Sequence, residues 1–128
     1  PYDWGFIPSK RAEDGDPLDA MVLFDAPTWP GVVVPAVPLG LVSVVQRESK
    51  GAPKLRNDRV MAVPSNDERY ADVRDLPQRT RKELEQFFLT VTHMTGKLVT
   101  VEGWKGPKAA WRAIRAAGEN YQRSRKAK

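Results

Sequence analysis

Eleven prolines punctuate this 128-residue chain, and all but Pro77 and Pro107 lie within its first 64 positions. Proline removes a backbone donor and fixes φ, so helices of ordinary length do not fit between closely spaced prolines. A strand can carry one only at an edge or a bulge. The first half is therefore expected to be short strands and turns. Its opening, PYDWGFIPSKRAEDGDPLD (1–19), mixes Pro, Gly and Asp and reads as turns and loops rather than long elements. AMVLFD (20–25) is a short apolar run closed by the turn cluster APTWPG and reads as a strand. VVVPAVPLGLVSVV (32–45) is β-branched but interrupted by Pro35, Pro38 and Gly40. It predicts two strands or one bent strand, with the prolines at an edge or a bulge. The polar QRESKGAPKLRND (46–58) is a hairpin-type connection into another strand, RVMAVP (59–64), and SNDERYADVRD (65–75) is loop.

The second half changes period. Asp75 can cap and Pro77 can open a helix running to about Met94. Leu84, Phe87, Phe88 and Val91 follow the i, i+3, i+4, i+7 pattern of an inward face, and Gly96 stops the helix. KLVTVEGW (97–104) is a final strand. Pro107 opens a second helix with Ala110, Ala113, Ile114, Ala117 and Tyr121 on one side. Its basic end, RSRKAK (123–128), reads as a frayed, solvated tail. Several strands, helix, strand, helix predicts a mainly β, α+β fold: a small twisted β-barrel or sheet with helices on one flank. The length suits one domain over 1–128, with no repeat or linker.

Composition narrows the chemistry. With no cysteine there are no disulfides and no thiolate metal sites, so a metal must use oxygen or the lone His93. There is no apolar run of roughly 18 residues that could span a membrane. Nor does the start resemble a secretory leader, and a cytoplasmic location is expected. A net charge of +5 favours anionic partners. Trp4, Trp29, Trp104 and Trp111 with their basic neighbours could form a stacking surface, but core packing is the expected role for most of them, and nucleic acid is not expected as a partner. One histidine and no cysteine leave no Ser-His-Asp or Cys-His constellation, and there is no phosphate-cradling glycine loop.

The most distinctive stretch is AEDGDPLDAM (12–21), which places Asp14, Asp16 and Asp19 at i, i+2 and i+5 around one Gly and one Pro. In an extended loop i and i+2 project to one side, and a turn at Pro17 can bring Asp19 round to join them. Three carboxylates repel unless a cation sits among them. Converged, they make a hard-oxygen site for Mg²⁺, Mn²⁺ or Ca²⁺. An EF-hand needs Gly at the sixth position and Glu at the twelfth, and counting from Asp14 those places hold Asp19 and Asp25. Mg²⁺, which keeps waters or substrate phosphates among its ligands, fits better. A solvated acidic turn is the other reading that spacing leaves open.

YDWGFIP (2–8) followed by DGDPLDAMVL (14–23) resembles the signature region of the soluble family I inorganic pyrophosphatases. PGVVVPAVPLGLV, RNDRVMAVP, DLPQ, ELEQFF, GKLVTVEGW and GPKAAW follow in the family's order, so the resemblance runs from Pro1 to about residue 118. It implies an OB-like five-stranded β-barrel flanked by two helices, and hydrolysis of pyrophosphate to two phosphates with Mg²⁺ (Mn²⁺ as a substitute). By position, Asp14, Asp16 and Asp19 are then metal ligands, and Asp16 also orients or deprotonates the attacking water. Arg59 takes the place of the family's cationic phosphate ligand. Trp4 stands where many members carry Tyr, keeping an aromatic wall without the hydroxyl. Members are commonly oligomers, so a homo-oligomer is expected.

The departures from the family are equally specific. Gln46 and Asn57 stand where better-known members have aspartates. Asn57 is a weak candidate metal ligand, and Asp58 beside it could partly substitute, although in a strand its side chain points the opposite way. Val91 and Thr92 replace a Tyr and its polar or basic neighbour that bind phosphate in the family. Val91 reads as core, while the adjacent His93 is a candidate phosphate contact. A typical member also has a substantial section ahead of YDWGFIP. A chain lacking it is expected to leave one side of the barrel open, with unpaired edges that invite self-association. The alternative expectation is therefore a shortened relative that binds phosphate, metal or nucleic acid without effective turnover.

Overall fold

The computed structural model describes residues 2–24 and 26–127. Pro1, Lys128 at the end of the basic tail, and Asp25 at the end of the expected AMVLFD strand lie outside the described residues. Six strands form one mixed sheet: β1 (Tyr2–Arg11), β2 (Pro17–Leu23), β3 (Ala36–Arg47), β4 (Leu55–Arg56), β5 (Arg59–Pro64) and β6 (Leu98–Lys105). The strand order is β1-β2-β5-β3-β4, and β6 also pairs with β3. Only β2 and β5 run parallel. The OB-like expectation holds in kind, with six strands rather than five, and the sheet is open as expected, with no pairing between its ends among the described residues.

The opening segment is a strand, which corrects the expectation of turns and loops. β1 finds a continuous antiparallel partner in β2, with Trp4 opposite Met21, Phe6 opposite Asp19 and Ile7 opposite Leu18. Pro8 is tolerated because the register shifts between Ile7 and Arg11, where Ser9 takes φ 60° and no regular ladder donor is needed. The proline-broken run resolves as one bent strand. β3 begins only at Ala36, and its register with β5 slips between Pro38 and Gly40, so Pro38 sits at a bulge as its missing N–H demands.

Two helices cover the sheet, one on each face rather than both on one flank. Helix α1 (Gln78–Met94) buries Leu84 and Phe88 against Met21, Leu39, Val42, Val44, Met61 and Val63. Helix α2 (Pro107–Lys126) buries Ala110 and Ala117 against Leu18, Ala20, Leu41 and Val60 on the opposite face. Alternation along β5 explains the split: Val60 faces α2 while Met61 faces α1, so the strand is apolar on both sides. Asp75 does not cap α1. It accepts from the N–H groups of Ala71 and Asp72 (both 3.0 Å), closing a capping box on a short 3₁₀ turn, Val73–Asp75, inside the segment expected to be loop. As far as Lys126 the basic tail is helical rather than frayed, because α2 places Arg123, Arg125 and Lys126 in its last turn, where cations complement the helix dipole. Trp29 (72% exposed) and Trp111 (53% exposed) are surface residues, which corrects their core reading. No helix among the described residues is long and apolar enough to cross a membrane.

The bulge in β3 also makes a sharp steric demand. A Cβ added to Gly40 would collide with the Lys105 carbonyl oxygen of β6 and lie 2.6 Å from Val73 Cγ1. Backbone cannot yield there without breaking the β3–β6 pairing. Gly40→Ala is expected to destabilise the fold by about 3 kcal/mol, the upper range of overpacking effects. A urea unfolding midpoint unchanged from native would show that the contact is not as tight as described.

Candidate active site

The β1–β2 turn is shaped by the residues that make it acidic. Gly15 takes φ 89°, the Asp14 carboxylate accepts from the Asp16 N–H (3.0 Å), and Arg11 Nε donates to the Gly15 carbonyl (2.8 Å). Ala12 N–H also reaches the Asp16 carbonyl at 2.8 Å. This Asx-type turn sets Asp14 and Asp16 at the tip of the hairpin and Asp19 at the start of β2, facing inward. Asp16 is exposed, whereas Asp14 and Asp19 are partly buried.

Arg59 is the counterweight. It opens β5, beside β2 in the parallel pair, and is only 3% exposed. Its guanidinium lies over the Trp4 ring (4.8 Å to the centroid) and the Phe88 ring (5.3 Å). Nη1 donates to the Asn57 carbonyl at 2.8 Å, and Nη2 stands 3.9 Å from Asp19 Oδ2. Nε is buried and has no hydrogen-bond partner among the described residues. That separation from Asp19 is an ion pair without a hydrogen bond, so most of the guanidinium's donor capacity is still available to an anion. Trp4 and Phe88 meet edge to face at 5.8 Å, fixing the two walls relative to each other.

Burial dominates the electrostatics on both partners. It pushes the Asp19 carboxyl above its ordinary value of 3.8; Arg59 and the Trp4 indole oppose the rise, while Asp14 and Asp16 add to it. Burial likewise draws the Arg59 guanidinium below its ordinary value, against the pull of Asp19, Asp14 and Asp58. Asp14 and Asp16 thus lie within the field of Asp19, and Asp14 and Asp19 within that of the buried Arg59.

The sequence candidates divide accordingly. Asp14, Asp16, Asp19, Arg59 and Trp4 are brought to one end of the β1–β2–β5 array. They are not converged into a cage: among the described residues no three carboxylate or imidazole side chains gather closely enough to enclose an ion. The donor set still fits Mg²⁺ chemically, because hard carboxylate oxygens can hold that ion partly through its waters and need not meet at one point. Asn57 is buried, and its amide nitrogen donates to Gln46 Oε1 at 3.0 Å. Asp58 turns the other way, accepting from the Val44 N–H (3.0 Å), Ser43 Oγ (3.2 Å) and Arg56 Nη1 (3.3 Å). His93 is exposed near the end of α1, lining a cleft with Thr90, Lys97 and Val99 that shares no residue with the Arg59 group. Val91 is half-buried, and Thr92 is buried with its hydroxyl donating to the Phe88 carbonyl (2.6 Å). Phe88 was legible only as core. Its second role, as a ring against Arg59, has no sequence signal, because it depends on where α1 crosses β5.

A family model described as inorganic pyrophosphatase matches residues 1–122. The inorganic pyrophosphatase of Synechocystis sp. is 35% identical over 125 residues, covering 95% of this chain and 70% of that protein. That of Thermus thermophilus is 39% identical over 128 residues, with 95% and 70% covered. The crystal structure of the Thermus thermophilus inorganic pyrophosphatase superposes with a TM-score of 0.80, 38% identity, and 94% and 69% coverage. The chain thus spans about 70% of the length of these relatives.

The opposing influences on Asp19 give a signed expectation. Its carboxyl, followed by carbon-detected NMR, should titrate above 3.8. Asp14→Asn should lower that midpoint and Arg59→Met should raise it. An acid that holds its proton more tightly when folded makes the fold relatively more stable as pH falls through its raised midpoint toward 3.8, so this group's contribution increases over that window. A midpoint at or below 3.8, or shifts of the opposite sign, would contradict the arrangement.

Proposed function

Because this chain belongs to the inorganic pyrophosphatase family, we propose that it hydrolyses inorganic pyrophosphate to two phosphates with a divalent cation, Mg²⁺ being the ion its donors suit best. The observation that carries the reading is the buried Arg59, lying over Trp4 with an unsatisfied Nε, beside Asp19 and within the field of Asp14. In this reading Asp14, Asp16 and Asp19 hold the cation, which when bound neutralises phosphate charge and makes water more acidic. Asp16, the exposed member, takes the proton from the attacking water. As the new P–O bond forms, the bridging P–O bond breaks and the proton passes to the departing phosphate. Arg59 grips phosphate oxygens through its guanidinium, whose Nε is unsatisfied, and offsets the growing charge on the leaving group. Trp4 holds the guanidinium plane and closes one wall against water.

Neighbouring residues take supporting parts. Asn57 steadies Arg59 through its carbonyl, backed by Gln46, rather than through direct charge balance. We assign Asp58 to the β3–β4 hairpin, and we leave His93 outside the site because it lines a separate cleft. Residues 1–128 act as one domain. A cytoplasmic homo-oligomer is the fitting form, with Phe6 of the edge strand β1 62% exposed and available for contact.

Phosphate release from pyrophosphate in the presence of Mg²⁺ tests the reading. Asp16→Asn should lower turnover by about 10²-fold or more, the range for loss of a general base. Arg59→Gln should lower kcat/KM, and chelating the metal should abolish release. If the native chain is no faster than Asp16→Asn, the reading fails.

A further inference from the structure

A second cleft, of about 640 Å³, lies on the far side of the β3–β4 hairpin from the Arg59 group. Alternation along β3 separates the two. Val44 packs in the core beside α1, while Gln46 is buried and bonded to Asn57; Val45 and Arg47, which alternate with them, line the cleft. Arg47 is joined there by Lys50 and Lys54 of the hairpin loop and by Arg56 of β4. The loop is set by Gly51 at φ 86° and an Ala52 N–H to Ser49 carbonyl bond of 3.1 Å, a turn that returns the chain so both lysines border the same space.

These cations are not balanced. Arg56 is engaged by Ser43 Oγ (2.6 Å), Asp58 (3.3 Å) and Glu102 (3.4 Å), which accounts for the Glu102 carboxylate as well. The side chains of Arg47, Lys50 and Lys54 form no ion pair or hydrogen bond with a described residue, and Glu13 is the one other carboxylate bordering the cleft among the described residues. Like charges gathered around a concave surface repel one another and concentrate a positive field that a bound anion relieves. The floor between them is apolar, formed by Val45 and the half-exposed Leu98. A basic rim over an apolar floor, in a cleft of a size that accommodates a small organic ligand, defines a chemical class.

We propose that this cleft binds a small organic phosphate. Its apolar body lies on Val45 and Leu98, its phosphate oxygens meet Arg47, Lys50 and Lys54, and its hydroxyls face Glu13. The inference is independent of the activity proposed above. The hairpin links the two sites, since Arg47 follows Gln46 and Arg56 precedes Asn57, whose carbonyl holds Arg59.

The test is a titration of the native chain, without divalent metal, with ADP as the organic phosphate and inorganic phosphate as the body-less control. Backbone amides and the Trp4 indole N–H would be followed by ¹⁵N NMR. ADP should shift the Gly51 and Thr100 amides while leaving the Trp4 indole in place, and should bind more tightly than phosphate. Lys50→Gln with Lys54→Gln should raise the ADP Kd roughly tenfold, the loss expected on removing charge-assisted contacts. Absence of ADP binding, or shifts confined to the Trp4 indole and its neighbours, would overturn the site. Equal affinity for ADP and phosphate would overturn its assignment to an organic ligand.

Discussion

Arg59 is charged, almost wholly buried and only loosely paired, and the candidate site is organised around keeping it so. Removing a guanidinium from water is costly unless other groups replace its hydration. Here the replacement is divided among three parts of the chain: the Trp4 ring from β1, the Phe88 ring from α1 and the Asn57 carbonyl just ahead of β5. Asp19 from β2 supplies the opposite charge at 3.9 Å. No single element could do this. The hairpin, the parallel strand and the helix must all be seated before the cation is tolerated, so its environment is also a readout of correct assembly.

That arrangement explains why the sheet is covered on both faces. One face must be dry enough, through α1, to hold Arg59 against aromatic rings. The other must seal β5 from behind, and the small Ala110 and Ala117 let α2 approach closely enough to do so. β3 serves as the common frame, pairing with β4, β5 and β6, and its bulge at Pro38–Gly40 lets one strand turn between those partners.

Much of this was legible in the residues. The strand RVMAVP appears with its expected bounds, both helices begin within a few residues of their prolines, and Gly96 ends α1 at φ 77°. The family resemblance rested on the DGDPLD turn and the ordered segments after it, and the similarity to inorganic pyrophosphatases follows the same span. The failures have physical causes. The first segment reads as loop because Pro, Gly and Asp are locally strand-averse, yet pairing with β2 overrides local preference. Asp75 looks like a helix cap by position but meets the 3₁₀ turn first. Trp111 falls outside the Ala-rich stripe of α2, so the width of the buried face, rather than the period, decided its exposure. The convergence of Trp4, Phe88 and Arg59 depends on tertiary crossing and could not be read from spacing.

The parallel pairing of β2 with β5 bears on the cost of assembling the chain. Ala20 pairs with Val60, across the whole of β3, while the β1–β2 hairpin and the β3–β4 turn close over far shorter spans. Short spans close at lower entropic cost than long ones, so the β2–β5 contact is costlier to form than either hairpin. Asp19 and Arg59 therefore meet through a pairing that closes a longer span than either hairpin does. On this chain the two halves of the candidate site adjoin only where β2 and β5 are paired, so the charge is sheltered by contacts between segments distant in sequence.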